Sequence, residues 1–243
     1  MSITSSKQTK KRPIVLVTAT LKEMRAFLPK HTDLSFLKLG EFYPWQYKDA
    51  HYILLTTGIG PINAAMSLGR LIGAGLDLSG VLNVGIAGSF DLQKFALGSL
   101  ALISREIWPE FGLWTSQGLD CKELGWALGQ TEQGKVWDQL ELDPDKHCTC
   151  LDFSVALKFQ RAVSLSVAGV TGCPERRSLL QNKYHADLEN MEGFALAWTC
   201  LRHKLAFVQI RSISNLVGSR KKNDWDLSSA LAGLREIFFC LND

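Results

Sequence analysis

Glu189, Met191 and Glu192 stand together in the run Leu188-Glu189-Asn190-Met191-Glu192-Gly193-Phe194-Ala195. Phe194, Ala195, Trp198 and Leu201 follow at offsets that line one helix face, so the spacing puts Met191 and Glu192 at a helix start. A carboxylate there faces the positive end of the helix dipole. It can also accept hydrogen bonds from two adjacent hydroxyls, as a ribose diol offers. The bland alternative is an acid that merely decorates a helix N-terminus. Glu23 is a second such carboxylate. It falls in the first turn of a helix read over Leu21–Leu28, just past the apolar run Pro13–Val17. In α/β folds ligands bind beyond the carboxyl ends of strands.

Other residues suited to binding follow the same placement. Thr57-Gly58-Ile59-Gly60 succeeds the apolar run Tyr52–Thr56, and Gly85-Ile86-Ala87-Gly88-Ser89 succeeds Val81–Val84. Both read as glycine turns whose backbone amides face an anion or a sugar. Neither completes the dinucleotide fingerprint, because the third glycine and the later acid are missing. Thr171-Gly172 closes an apolar run over Val163–Val170 and is read as framing a ligand with backbone groups. Asn215 stands at the end of the run Leu205–Ile213, followed by the charged loop Gly218–Asp224 with Arg220.

These residues need elements to hold them. Apolar runs alternate with helical periodicity along the chain, which implies a central sheet covered by helices. Strands are read over Pro13–Val17, Tyr52–Thr56, Val81–Val84, Leu100–Ser104, Val163–Val170 and Leu205–Ile213, with a hairpin over Phe36–His51. Helices are read over Leu21–Leu28, Ala64–Ile72, Ala156–Arg161, Glu175–Lys183 and Leu227–Leu241, with mostly loops across Phe111–Leu151. No linker or repeat divides the chain. Residues 1–12, polar and basic, read as a disordered tail and 13–243 as one domain.

The 243 residues are 46% hydrophobic and 21% charged, an ordinary globular composition. A net charge of +3 gives no argument for nucleic acid. No apolar run approaches the roughly 20 residues of a membrane span, and the N-terminus lacks the apolar core of a secretory signal. The six cysteines lack zinc-site spacing and disulfide density. His147-Cys148-Thr149-Cys150 has no second pair to complete four ligands. Reduced thiols in the cytoplasm, with no metal and no cofactor, are the expectation.

Five pieces in order then carry a resemblance. They are the first strand with Glu23, Thr57-Gly58-Ile59-Gly60, Asn83-Val84-Gly85-Ile86-Ala87-Gly88, Glu189-Asn190-Met191-Glu192-Gly193 and Arg211-Ser212-Ile213-Ser214-Asn215. Together they resemble the nucleoside phosphorylase/nucleosidase superfamily over nearly the whole chain. The resemblance implies a three-layer α/β/α fold with a twisted mixed sheet, a homo-oligomer, and cleavage of an N-glycosidic bond. The phosphorylase branch carries Gly-Asp-Pro-x-Arg after the first strand and an arginine opening the second glycine turn. Here Thr18-Ala19-Thr20-Leu21-Lys22-Glu23 and Asn83 stand in those places, which points to hydrolysis with Glu23 as the water-activating base.

In methylthioadenosine/S-adenosylhomocysteine nucleosidases the position of Asn215 is an aspartate. An amide instead donates to N7 and O6 of a 6-oxopurine. The segments around Asn215 and Glu192 are similar to futalosine hydrolases of menaquinone biosynthesis, whose substrate is a hypoxanthine nucleoside with an aromatic, carboxylate-bearing tail. The resemblance implies that Met191 packs on the sugar, Glu192 binds its hydroxyls and Asn215 holds the base. Gly58, Gly85, Thr171 and Gly172 line the site, Arg220 meets the tail carboxylate, and Trp45, Phe111 or Trp114 meets the ring. The alternatives are a methylthioadenosine/S-adenosylhomocysteine nucleosidase, a purine nucleoside phosphorylase, and a non-catalytic nucleoside-binding protein. The partners expected are a small nucleoside and water, with neither nucleic acid nor membrane.

Overall fold

Runs of β-branched and leucine side chains buried on both faces build the centre of the molecule, as parallel strands covered by helices require. The computed structural model describes residues 12–132 and 134–240, so most of the expected tail lies outside the described residues. In chain order the elements are β1 (Ile14–Thr18), α1 (Leu21–Phe27), the hairpin β2 (Phe42–Tyr47) and β3 (Ala50–Thr56), α2 (Pro61–Gly73), β4 (Gly80–Ser89) and β5 (Leu100–Ile107). Two small hairpins follow, β6 (Leu113–Thr115) with β7 (Gly118–Asp120) and β8 (Gly129–Thr131) with β9 (Gly134–Val136). Then come β10 (Gln139–Glu141), α3 (Pro144–Cys150), β11 (Gln160–Ser166), α4 (Pro174–Tyr184), β12 (Leu188–Asn190), α5 (Gly193–Arg202), β13 (Ala206–Leu216) and α6 (Leu227–Cys240).

Nine strands form one mixed sheet, the α/β/α arrangement expected. β4 is central, parallel to β1 on one side and to β13 on the other. β13 runs antiparallel to β5, β5 parallel to β11, β11 parallel to β12, and β12 returns antiparallel to the end of β4. These five strands close a ring. Alternation along β1 sends Val15 and Val17 to one face and Leu16 to the other. On the first face they meet Leu68 and Leu71 of α2 and Phe194 and Leu196 of α5. On the second they meet Met24 and Phe27 of α1 and Leu234 and Phe238 of α6.

Several elements differ from the sequence reading. The expected turn at Gly85 is strand, because β4 continues to Ser89. Residues 156–161, read as helix, are the end of a short 3-10 turn (Ser154–Lys158) and the start of β11. β11 stops at Ser166, so Val167–Val170 is loop. Leu188–Asn190 is a strand of the ring rather than a lead-in to helix. The stretch read as loops, Phe111–Leu151, holds both small hairpins, β10 and α3. On α5 the buried positions include Leu196, Ala197 and Cys200, while Leu201 is exposed. Among the described residues no helix is long and apolar enough to cross a membrane.

Candidate functional site

Thr20 and Glu23 start α1 with a reciprocal capping box. Thr20 Oγ1 accepts the Glu23 N–H (3.2 Å), while Glu23 Oε2 accepts the Thr20 N–H (2.9 Å) and its hydroxyl (2.8 Å). The other oxygen, Oε1, crosses to β4 and accepts the Ile86 N–H at 3.0 Å. Helix start and strand thereby fix a carboxylate that is only 5% exposed.

Glu192 is the N-cap residue of α5 and is equally buried. Its Oε1 accepts the N–H of Gly60 at 3.0 Å, and its Oε2 lies 4.0 Å from Arg211 Nη2. Burial pushes its carboxyl above the usual range, the Arg211 guanidinium pulls it back, and Glu23 adds a smaller upward push. Gly60 reaches Glu192 with φ +94°, a conformation that favours glycine. Gly58 holds the loop that carries Gly60. Its own N–H is spent on the Ala19 carbonyl at 2.9 Å, tying the end of β3 to the end of β1.

Arg211 completes the cluster. Its sequence position gives it no role beyond the resemblance. It lies in β13, 1% exposed, with Nη2 donating to Asn190 Oδ1 at 3.3 Å. Its Nε–H has no hydrogen-bond partner among the described residues. A buried donor left open in this way suits a water or a ligand hydroxyl. Gly85 is what makes room. A Cβ there would lie 2.3 Å from Arg211 Nη1 and 3.0 Å from Glu23 Oε1. A guanidinium inside a strand whose neighbours Ile210 and Ile213 mark it as buried is the informative exception to burial rules.

Asn215 lies at the far end of β13, where the pairing with β4 slips between Ile213 and Asn215. Such a bulge re-aims the side chain that follows. Ser214 Oγ lies 2.8 Å from Asn215 Oδ1, and Asn215 Nδ2 donates to the Leu216 carbonyl at 3.2 Å. The second contact fixes the amide, since a flip would set Oδ1 against that carbonyl oxygen. Asn215 faces Gly88, whose missing side chain leaves Nδ2 3.0 Å from where a Cβ would stand. Gly85 and Gly88 are three residues apart on one strand, so their Cα atoms are about 10 Å apart along β4.

The remaining candidates divide. Met191 is half-buried and packs on the cluster of Phe90, Leu165 and Val217. Thr171 is buried, but its backbone is already committed. Its N–H goes to Glu189 Oε1 (2.9 Å), its carbonyl takes the Gly218 N–H (3.2 Å), and its hydroxyl bonds Glu189 Oε2 (2.5 Å). It therefore ties down the loop, with its N–H and hydroxyl spent within the protein. Gly172 is exposed and lies beside Arg220, whose guanidinium sits over the Trp225 ring at 5.9 Å. Trp225 bridges to Asn215, so Gly172, Arg220 and Asn215 share one neighbourhood. Trp45 is removed from it, half-buried and packed with Tyr47, Tyr52 and Phe238 against the core. Trp114 is 79% exposed on a hairpin. Phe111 stacks on Trp108, which touches Phe194 near the start of α5.

Known proteins share this fold. The sequence profile of the phosphorylase superfamily matches residues 13–236. A futalosine hydrolase from Thermus thermophilus is 31% identical over 85% of this chain and 89% of its own. A 5'-methylthioadenosine/S-adenosylhomocysteine nucleosidase from Staphylococcus carnosus is 26% identical over 88% of this chain and 90% of its own. Among solved structures, the futalosine hydrolase of Helicobacter pylori superposes with a TM-score of 0.74 at 19% identity, covering 95% of this chain and 97% of that one. With its nearly full-length match to the profile and nucleosidases among its relatives, the chain belongs to the phosphorylase superfamily.

Proposed function

We propose that the protein hydrolyses the N-glycosidic bond of futalosine, releasing hypoxanthine and dehypoxanthine futalosine. One observation carries the choice of water over phosphate: the buried guanidinium of Arg211 has the Glu192 carboxylate 4.0 Å away, and the Glu23 carboxylate stands with it over the face of Gly85. A phosphate dianion placed there meets two like charges, and a neutral water does not. The choice of base rests on Asn215, whose amide is held as a donor by the Leu216 carbonyl. One Nδ2 hydrogen remains, and hypoxanthine offers it two acceptors, N7 and O6, along that edge. Adenine presents one acceptor and an amino group.

In this reading cleavage passes through an oxocarbenium-like sugar. Glu192 accepts the ribose hydroxyls and its negative charge favours the developing cation. Met191 lies against the sugar with a polarisable sulfur. Glu23 orients and deprotonates the water, a step worth about 10²–10⁴-fold, with the open Nε–H of Arg211 as a second hold on it. Asn215 stabilises the leaving purine. Its amide gives up no full proton, so N7 is protonated by another donor. Arg220 lies near the base end of this site, beside Asn215 and Trp225. The purified protein tests the reading with a panel of futalosine, inosine, adenosine, methylthioadenosine and S-adenosylhomocysteine. Hypoxanthine from futalosine without added phosphate supports it; adenine as the main product would assign the protein to the other nucleosidase class, which the Staphylococcus relative favours. Ile59, Ile62 and Met66 are exposed around the start of α2 and support a homo-oligomer, which sedimentation reads directly.

A further inference from the structure

Behind the carboxylates lies a second set of polar side chains that the proposed reaction does not touch. Glu106, near the end of β5, is fully buried. Donors surround it: Gln209 Nε2 at 2.6 Å and Asn190 Nδ2 at 2.9 Å reach Oε1, and Ser166 Oγ at 2.8 Å reaches Oε2. Gly193 provides the room, because a Cβ there would lie 2.3 Å from Glu106 Oε1. Asn190 carries the set forward to the site. Its amide nitrogen faces Glu106, Ser164 Oγ (2.7 Å) and the Leu165 carbonyl (3.2 Å), so its oxygen must face the other way. There it accepts the N–H groups of Glu192 (2.9 Å) and Gly193 (2.7 Å) and Arg211 Nη2 (3.3 Å).

We infer that Glu106 is a positioning residue for the Arg211–Glu192 pair, fixing the orientation of Asn190 and passing its own ionisation to Arg211 through Ser166 and Asn190. The coupling is a property of the structure; its effect on turnover rests on the nucleosidase reading above. When Oε2 of Glu106 takes a proton from solvent, it becomes a donor to Ser166 Oγ. The Ser166 hydroxyl then turns from Glu106 to Asn190 Oδ1, 3.2 Å away. Ser166 Oγ goes on accepting the Phe194 N–H at 2.7 Å. Asn190 Oδ1 now holds one donor more, and its longest contact, to Arg211, weakens.

Burial sets the working range, raising the Glu106 carboxyl to about 7 against the downward pull of Ser166, Arg211, Gln209 and Asn190. From β13 the charged group acting on it is Arg211, and Gln209 beside it is neutral. β11 and β12 offer the neutral Ser166 and Asn190, and α5 offers the backbone at Gly193. Glu192 lies beyond Arg211.

The test uses the full chain and Glu106→Gln. A glutamine amide reproduces the protonated pattern, with Nε2 donating to Ser166 Oγ. At alkaline pH the variant's kcat falls about tenfold, the scale of one hydrogen bond to a charged group. Wild-type kcat falls by a similar factor as pH drops through about 7, and the variant lacks that limb. Independently of turnover, the nitrogen-15 resonance of Arg211 Nε, assigned by its loss in Arg211→Lys, titrates near pH 7 in wild type and stays still in Glu106→Gln. A wild-type Arg211 signal that does not move between about pH 6 and pH 8 overturns the inference. So does a Glu106→Gln protein with wild-type kcat and an unchanged acid limb. A wild-type protein that releases no purine sinks the nucleosidase reading instead, and the Arg211 titration still decides this one.

Discussion

Replacing Gly85 by alanine probes the cluster without removing any of its functional groups. The new Cβ lies 2.3 Å from Arg211 Nη1 and 3.0 Å from Glu23 Oε1. Ordinary contact for such atoms is about 3.5 Å, so the guanidinium must retreat by about 1 Å. It has little room to do so, being 1% exposed, bonded to Asn190 and flanked by Glu192. Overpacking of this kind costs about 1–3 kcal/mol. In a chain of this size that lowers the melting midpoint by about 2–12 °C. A displacement of about 1 Å at a reacting centre costs about 10²-fold in rate. Initial rates of purine release, read beside thermal unfolding, should show kcat down about a hundredfold in a protein that still unfolds cooperatively. Gly69→Ala is the control. It makes the same chemical change in helix α2, where nothing lies within 4 Å of the new Cβ. It should be neutral or stabilise by up to about 1 kcal/mol. Wild-type kcat in Gly85→Ala would refute the placement of Arg211 and Glu23 in the reaction.

Glu23→Gln should abolish most turnover, by about 10²–10⁴-fold, while substrate binding measured by calorimetry persists; undiminished turnover would remove Glu23 from the mechanism. Asn215→Asp should shift the ratio of adenine to hypoxanthine release toward adenine by about 5–150-fold, the worth of one mismatched buried polar contact of about 1–3 kcal/mol; an unmoved ratio would refute the account of base recognition. Glu106 also links stability to pH. Its carboxyl rises from 4.5 to about 7 on folding, so between those values the native state holds more protons than the unfolded chain. Stability is therefore present at the low end of that window and is lost as pH rises through it, by an amount on the order of 3 kcal/mol. Denaturant melts at several pH values should show this slope in wild type and a flatter one in Glu106→Gln; equal slopes would contradict it.

What could be read from the chain, and what could not, follows from the range of the interactions. β1, β3 and the start of α1 show in sequence because burial on both faces leaves long apolar runs, and because the capping of Thr20 and Glu23 is local. Glu192 was legible for a similar reason, as an acid ahead of an apolar helix. Gly85 misled: a glycine pair reads as a turn, yet these glycines lie within a strand that Arg211, Glu23 and Asn215 approach closely. That approach is made by residues distant in sequence, so no local window carries it. The same holds for Thr171, whose backbone is claimed by Glu189 and Gly218, and for Gly58, claimed by Ala19. Strands of three residues, such as Leu188–Asn190 and the hairpins within 113–136, are too short to show a period. Ring closure by β12 depends on its pairing with β4 and leaves no local mark.

In the proposed reaction water, held between Glu23 and Arg211, is the nucleophile at the sugar carbon of futalosine. Turnover in oxygen-18 water with inorganic phosphate present tests it directly, with the sugar product analysed by mass spectrometry. Hydrolysis gives hypoxanthine in step with a dehypoxanthine futalosine that carries one oxygen-18 atom. A sugar 1-phosphate, or a product without the label, would contradict it.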